Sequence, residues 1–308
     1  MFTKKIPNIE RYVLNFLRQI PYGKITTYKH LAIALGDEIS VRAVGEILKK
    51  NKYPNKYPCY KVILSNGEIG GYSLGIEEKK KRLEKEGIEV ENGKVLNFEN
   101  LLFTDFKTDF PLKKLREDEE RLKRKMVLKS LKNYSVVAGI DVSYKENFGI
   151  CSYVSMDKNF NEIEKIIIKT KVKFPYIPTY FSYREGPIIL KIMKKIKNKP
   201  DIIFVDGNGI LHPRNFGIAC YIGTILKIPT IGVAKKLLIG NIKRDYVFVN
   251  NKKVGCVVKI GKEKIFVSPG NLIDIESSKE ITKKFIKYKI PEPLRLAHLF
   301  SSSKARFL

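Results

Sequence analysis

The sequence predicts an α/β chain in two parts, a mainly helical N-terminal part followed by a layered part of alternating strands and helices. Three observations predict it. The 308 residues exceed what one hydrophobic core usually serves. Apolar residues recur at helical spacing through the first fifty or so positions. Beyond Ser135 come short β-branched runs separated by helical stretches, the pattern of a largely buried sheet.

Ile9, Tyr12, Val13, Phe16 and Leu17 mark a first helix, and Pro21-Tyr22-Gly23 turns the chain. Thr26 or Thr27 caps a second helix from Tyr28 to Leu35, ended by Gly36, and Ser40 caps a third through Lys50. Helix, tight turn, helix is the outline of a module that reads a nucleic-acid groove. A glycine-rich stretch, Asn66 to Tyr72, precedes a charged helix from Glu77 to Glu86 stopped by Gly87. From Asn92 to about Pro111 the pattern is irregular and is taken as a linker, so the expected division is 1–94, linker 95–111 and 112–308. A charged amphipathic helix is expected from Leu112 to Leu131. Strands follow at Val136–Ile140, Ile163–Ile168, Ile202–Val205 and Thr230–Val233, with helices over Pro187–Lys197 and Gly217–Lys227. There is no internal repeat and no low-complexity tract.

A formal charge of +27 attracts polyanions. Nucleic acid is the leading partner class, an anionic membrane surface the second, and a lysine-rich composition without functional meaning the alternative. No apolar run approaches the length of a membrane span, so a cytoplasmic protein without a membrane partner is expected, and a monomer. The four cysteines lack the paired spacing of a zinc site or disulfide framework. Cys59 stands apart because Tyr57-Pro58-Cys59-Tyr60-Lys61 suggests a shaped loop rather than a core position.

In so basic a chain, carboxylates at strand ends need a reason. Asp141 follows Val136–Ile140, and Asp206 follows Ile202–Val205 ahead of Gly207-Asn208-Gly209, where α/β sheets place their sites. Brought together they repel unless a cation neutralises them, and hard oxygen ligands suit Mg²⁺. Glu185 offers a third acid at a helix start, His212 a proton-transfer group and Lys235 a fixed positive charge. On position alone, strand-end caps or turn residues are the favoured reading of the two aspartates, and His212 has the alternative of a turn histidine before Pro213.

Motif density shifts that balance. Val137-Ala138-Gly139-Ile140-Asp141-Val142-Ser143-Tyr144, Pro175-Tyr176-Ile177-Pro178, Tyr183-Arg184-Glu185-Gly186-Pro187, Val205 through Arg214, Gly232-Val233-Ala234-Lys235 and Leu296-Ala297-His298 stand in the order typical of endonuclease V, which residues 112 to 308 resemble. The resemblance implies an RNase H-like domain and Mg²⁺-dependent cleavage of DNA on the 3′ side of a deaminated base, mainly hypoxanthine. It implies that Asp141, Asp206 and Glu185 hold the metal, that Lys235 offsets developing charge and that His298 sits near the site's water. Tyr176, with Ile177 and Pro178, matches the wedge that parts the strands. Thr179 and Asn208 depart from the family's usual glycine and its usual glutamine or histidine.

Tyr22 through Tyr28, Arg42-Ala43-Val44-Gly45, Asn51, Pro58-Cys59, Gly70-Gly71-Tyr72-Ser73 and Glu84-Lys85-Glu86-Gly87 follow the order of the DNA-binding half of alkylguanine-DNA alkyltransferases. That resemblance covers residues 8 to 94 and implies a winged-helix-like DNA-binding domain. It implies that Cys59 accepts the alkyl group of an alkylated guanine, Arg42 fills the gap left by the flipped base and Tyr28 assists its rotation. Asn51 and Glu86 would organise the thiol, and Ser73 would contact the guanine. Tyr60 and Lys61 replace the family's histidine and arginine, and tyrosine is a poor base at neutral pH. The expectation is a bifunctional DNA-repair enzyme acting on damaged double-stranded DNA. The alternative is a nuclease with a non-catalytic damage-sensing module.

Overall fold

A computed structural model describes residues 6–307, with side chains to Lys304. Among the described residues the chain divides into two compact units, the first of residues 6–117 together with Phe174–Pro178 and the second of Asp118–Lys173 together with the residues from Thr179 on. Among the described residues no helix is long and apolar enough to cross a membrane.

The first unit holds α1 (Ile9–Leu17), β1 (Thr26–Thr27), α2 (Tyr28–Leu35), α3 (Val41–Lys49), β2 (Val62–Ile63), α4 (Ile76–Glu84), the β3–β4 hairpin (Val90–Glu91, Lys94–Val95) and the short α5 (Phe98–Leu101). Asn8 caps α1 by accepting from the Arg11 N–H, and Thr27 caps α2 by accepting from the His30 N–H. Gly36 ends α2 with φ of 96°, a left-handed conformation open to glycine. Ser40 does not cap α3. Its hydroxyl bonds back to the Asp37 carbonyl, closing a 3₁₀ turn over Glu38–Ser40 that Asp37 caps instead. The stretch expected as a linker carries apolar side chains that the first unit uses. Leu102 bridges Ile25, the Phe103 N–H donates to the Ile25 carbonyl at 2.7 Å, and the Phe106 ring lies 5.4 Å from that of Phe16. Apolar residues without a period left no strand or helix signal, yet they pack.

The second unit is a nine-stranded mixed sheet. In chain order its elements are α6 (Pro111–Lys123, which begins in the first unit), β5 (Val137–Lys145), β6 (Phe148–Met156), β7 (Glu162–Lys171), α7 (Phe181–Met193), β8 (Ile202–Asp206), α8 (Ile218–Leu226), β9 (Thr230–Ala234), β10 (Asn241–Lys243), β11 (Tyr246–Val249), β12 (Lys252–Ile260), β13 (Glu263–Asn271), α9 (Ile275–Phe285) and α10 (Glu292–Phe307). The spatial order is β10-β11-β12-β13-β9-β8-β5-β6-β7, and its parallel pairings are β5 with β8 and β8 with β9. α9 and α10 cover one face through Phe285, Ile281 and Leu294, packed on Val137, Phe204, Ile231 and Val267. α7 lies against the opposite face, where Ile188 meets Gly149, and its Tyr183 ring packs edge-on against Tyr221 of α8 at 5.8 Å.

Three expectations change. α6 stops at Lys123 rather than near Leu131 because the following backbone finds better partners. The Val127 N–H donates to Asn271 Oδ1 at 2.9 Å, the Leu272 N–H donates to the Val127 carbonyl, and the Leu131 N–H donates to Ser277 Oγ. α7 starts at Phe181 and runs through Pro187, which supplies no N–H to the preceding turn, so Glu185 is a helix residue and not a starting cap. β5 continues past Asp141 as a hairpin with β6, so Asp141 ends only the parallel part of its strand.

Gly139 sets how closely α10 approaches the sheet. A Cβ there would lie 2.2 Å from the Leu294 backbone nitrogen, so no side chain fits without moving the helix. Gly139→Ala is expected to cost about 1–3 kcal/mol by overpacking, or more if α10 shifts as a body. A fall in the denaturation midpoint with an unchanged slope on denaturant checks it.

Candidate functional site

Register brings the acids together. Ile140 pairs with Val205 in the parallel ladder, so Asp141 and Asp206 are the next neighbours on adjacent strands. Alternation along β5 turns Asp141 to the side where Gly139 admits α10. From α10, His298 places Nδ1 3.3 Å from Asp141 Oδ1. Ligand atoms of Asp141, Asp206 and His298 all lie within 4.8 Å of one another, a grouping that fits a cation. Burial and the neighbouring Asp141 carboxylate push the Asp206 carboxyl up, while the Lys235 ammonium and His298 pull it back. Glu185 approaches from α7 and stays outside that group. It accepts from Tyr144 OH at 2.8 Å, and burial with repulsion from Asp206 and Asp141 pushes its carboxyl up to about 8. Acids held this way repel each other and retain protons, a burden that a divalent cation removes.

The second oxygen of Asp141 is already occupied. Ser301, fully buried one turn beyond His298, donates its hydroxyl to Asp141 Oδ2, and Ser143 Oγ lies 3.4 Å from the same oxygen. The two serine hydroxyls lie 2.7 Å apart. Their signals were available as spacing: Ser143 is two residues from Asp141 on one strand face, and Ser301 three from His298 on one helix face.

His212 does not join the acids. Its Nδ1 accepts from the Arg214 N–H at 3.3 Å, its ring also bonds the Thr179 backbone, and burial lowers its pKa to about 4. Both ring nitrogens are engaged, and the ring braces the loop after β8. Tyr176, in the Pro175-Tyr176-Ile177-Pro178 segment between β7 and α7, is 56% exposed.

In the first unit, Cys59 is buried at the start of a 3₁₀ turn. Asn51 Nδ2 donates to its sulfur at 3.2 Å and to the Tyr57 carbonyl at 2.9 Å. Burial pushes the thiol up, offset in part by the Asn51 bond and by the Lys79 and Arg82 charges. Tyr60 OH donates to Glu86 Oε1 at 2.5 Å, and Lys61 Nζ lies 2.6 Å from Glu86 Oε2, which also accepts from the Gly23 N–H. Tyr60 is pushed up by burial and by that carboxylate, which rules it out as a neutral-pH base. Tyr28 is half-buried and close enough to feel the Cys59 charge, while Arg42 on α3 and Ser73 are exposed. Lys79 was not anticipated. It is fully buried, donates to the Val62 carbonyl at 2.6 Å and to that of Ile69, and has its pKa lowered to about 8 by burial. A lysine in a charged helix gives no sequence signal of burial.

Known proteins match this arrangement in both parts. The family profile of endonuclease V matches residues 120–299, and that of the 6-O-methylguanine DNA methyltransferase DNA-binding domain matches residues 8–88. A bifunctional methyltransferase/endonuclease of Picrophilus torridus is 42% identical across 93% of both chains. A bifunctional methyltransferase-like/endonuclease of Nanoarchaeum equitans is 36% identical over 96% of this chain and 90% of its own. Among solved structures, Ciona intestinalis endonuclease V in complex with inosine-containing DNA superposes with a TM-score of 0.59 at 25% identity, covering 65% of this chain and 99% of that one.

Alkylation of Cys59 by iodoacetamide is expected to be slow at pH 7 and to accelerate up to and beyond pH 9, because its thiol is raised above the ordinary value. Asn51→Ala removes a bond that favours the thiolate and should slow labelling further at pH 8. Peptide mass mapping reads both, with Cys220 and Cys256, pushed up to about 12, labelling later.

Proposed function

We propose that this chain, which belongs to the endonuclease V family and carries an alkyltransferase-type DNA-binding domain ahead of its nuclease, is a bifunctional DNA-repair enzyme. Its nuclease would nick DNA 3′ to a deaminated base, chiefly hypoxanthine, with Mg²⁺. Its first domain would take the alkyl group of an alkylated guanine onto Cys59. The observation that carries the nuclease half is the convergence of Asp141, Asp206 and His298 within 4.8 Å, with Glu185 close enough to be raised by both aspartates.

Asp141 and Asp206 would hold the ion, with Glu185 completing the set and His298 beside the site's water. When bound, the ion would polarise the scissile phosphate and lower the pKa of the attacking water. Asp141 would offer the ion Oδ1, since Oδ2 already accepts from Ser301. The exposed Lys235 ammonium, close enough to Asp206 to lower its carboxyl, would offset charge developing on the phosphate. Tyr176 with Ile177 and Pro178 would separate strands at the lesion. An exposed ring between two prolines can replace lost stacking with little ordering cost.

For the alkyl half, Arg42, Tyr28 and Ser73 would hold a flipped guanine, and Asn51 would position the sulfur. The Tyr60 hydroxyl, fixed on Glu86, could pass a proton onward only by donating its own as it accepts another. Transfer should therefore be slower than with the family's histidine. The second reading, a damage-sensing module without chemistry, draws on the same substitution.

Nicking of a hypoxanthine-containing duplex is expected with Mg²⁺, absent with chelator, and reduced about a thousandfold or more in Asp141→Ala and Asp206→Ala. Cys59→Ala should nick at the normal rate. Duplex carrying radiolabelled O6-methylguanine should transfer label to Cys59 stoichiometrically and not to the alanine variant. Intact lesion binding without label would leave the sensing role in its place.

A further inference from the structure

The turn that follows Pro175-Tyr176-Ile177-Pro178, in which Tyr176 is exposed and Ile177 buried, is held by a buried ion pair. Thr179 has φ of 67°, a left-handed conformation that a β-branched residue resists. Two nitrogens of the Arg214 guanidinium hold it, and the third binds a carboxylate. Nη1 donates to Thr179 Oγ1 at 2.7 Å, Nη2 donates to the Thr179 carbonyl at 2.5 Å, and Nε donates to Glu119 Oε2 at 2.6 Å. The Glu119 side chain is 1% exposed, and the guanidinium lies over the fully buried Tyr180 ring at 4.8 Å. From the other side the Lys123 ammonium donates to the Arg214 carbonyl at 2.8 Å, and His212 bonds the Thr179 backbone. A planar fork that meets a side-chain oxygen, a carbonyl and a carboxylate at once fixes a direction, which a point charge cannot do.

We propose that Arg214, anchored by Glu119, is the positioning residue for strand separation: it locks the left-handed turn at Thr179 and so fixes the backbone direction in which Pro175-Tyr176-Ile177-Pro178 joins α7. The inference rests on the nuclease reading above. A segment fixed in advance enters the base stack without paying to order itself, whereas a loose one loses productive encounters. The chemistry at Asp141 and Asp206 needs no such support once the strand is already single. Arg214 therefore matters for duplex substrates and little for single-stranded ones.

The test compares nicking of hypoxanthine in duplex and in single-stranded oligonucleotides of the same sequence by the full chain. Arg214→Lys keeps a charge for Glu119 and loses the fork. Its duplex rate is expected to fall about tenfold or more while the single-strand rate changes less than about threefold. Thr179→Val removes the Oγ1 acceptor without disturbing the buried charge and should shift the same ratio in the same direction by a smaller factor. It decides the matter if Arg214→Lys does not fold. A 2-aminopurine beside the lesion, with Ca²⁺ in place of Mg²⁺, should brighten on binding of the unaltered protein and less with either variant. Equal losses on both substrates, or an unchanged duplex rate, overturn the proposal. Failure of the unaltered protein to nick hypoxanthine in either form instead overturns the nuclease reading on which it stands.

Discussion

Repulsion between two aspartates on neighbouring parallel strands governs the second unit. With ligand atoms within 4.8 Å, two unit charges oppose each other by at least about 3 kcal/mol at an effective dielectric near 20. The fold accepts this because each feature around it limits the damage. Ser301 and Ser143 surround one oxygen of Asp141, Lys235 offsets Asp206, and His298 faces the remaining oxygen. What is left is an unbalanced negative charge in a shape suited to a divalent ion. The parallel register that creates the conflict is thus inseparable from the chemistry of the family.

The first unit resolves its buried charges differently. Glu86 is saturated by Lys61, the Gly23 N–H and Tyr60, so the carboxylate is a brace beneath the Cys59 turn. Lys79, bonded to backbone carbonyls, contributes a positive charge near the sulfur. Where the alkyltransferase family pairs a histidine and arginine, Tyr60 and Lys61 retain the grip on Glu86 and surrender the basic ring. These two side chains therefore lower the proton affinity next to Cys59 and leave Glu86 braced.

Much of this was legible in the sequence. Local rules found Thr27 and Gly36 at the ends of α2, and β-branched runs located β8 and β9 almost to the residue. Asp141 and Asp206 were visible because carboxylates are anomalous after apolar runs. Strands β10 to β13 were not anticipated, since lysines and glycines interrupt their alternation, although β10 to β13 pair with one another as consecutive hairpins. The early end of α6 has a long-range origin: Asn271 and Ser277 compete for its backbone from more than a hundred residues away. His212 shows the limit for site residues, because a motif fixes its place in a loop but not whether its nitrogens are free.

The last of these dependencies has a temporal side. α10 delivers His298 and Ser301 to Asp141 across the groove that Gly139 leaves open. Synthesis therefore completes both acid-bearing strands well before α10, so that a nascent chain carries Asp141 and Asp206 side by side without His298 and Ser301 until that helix emerges.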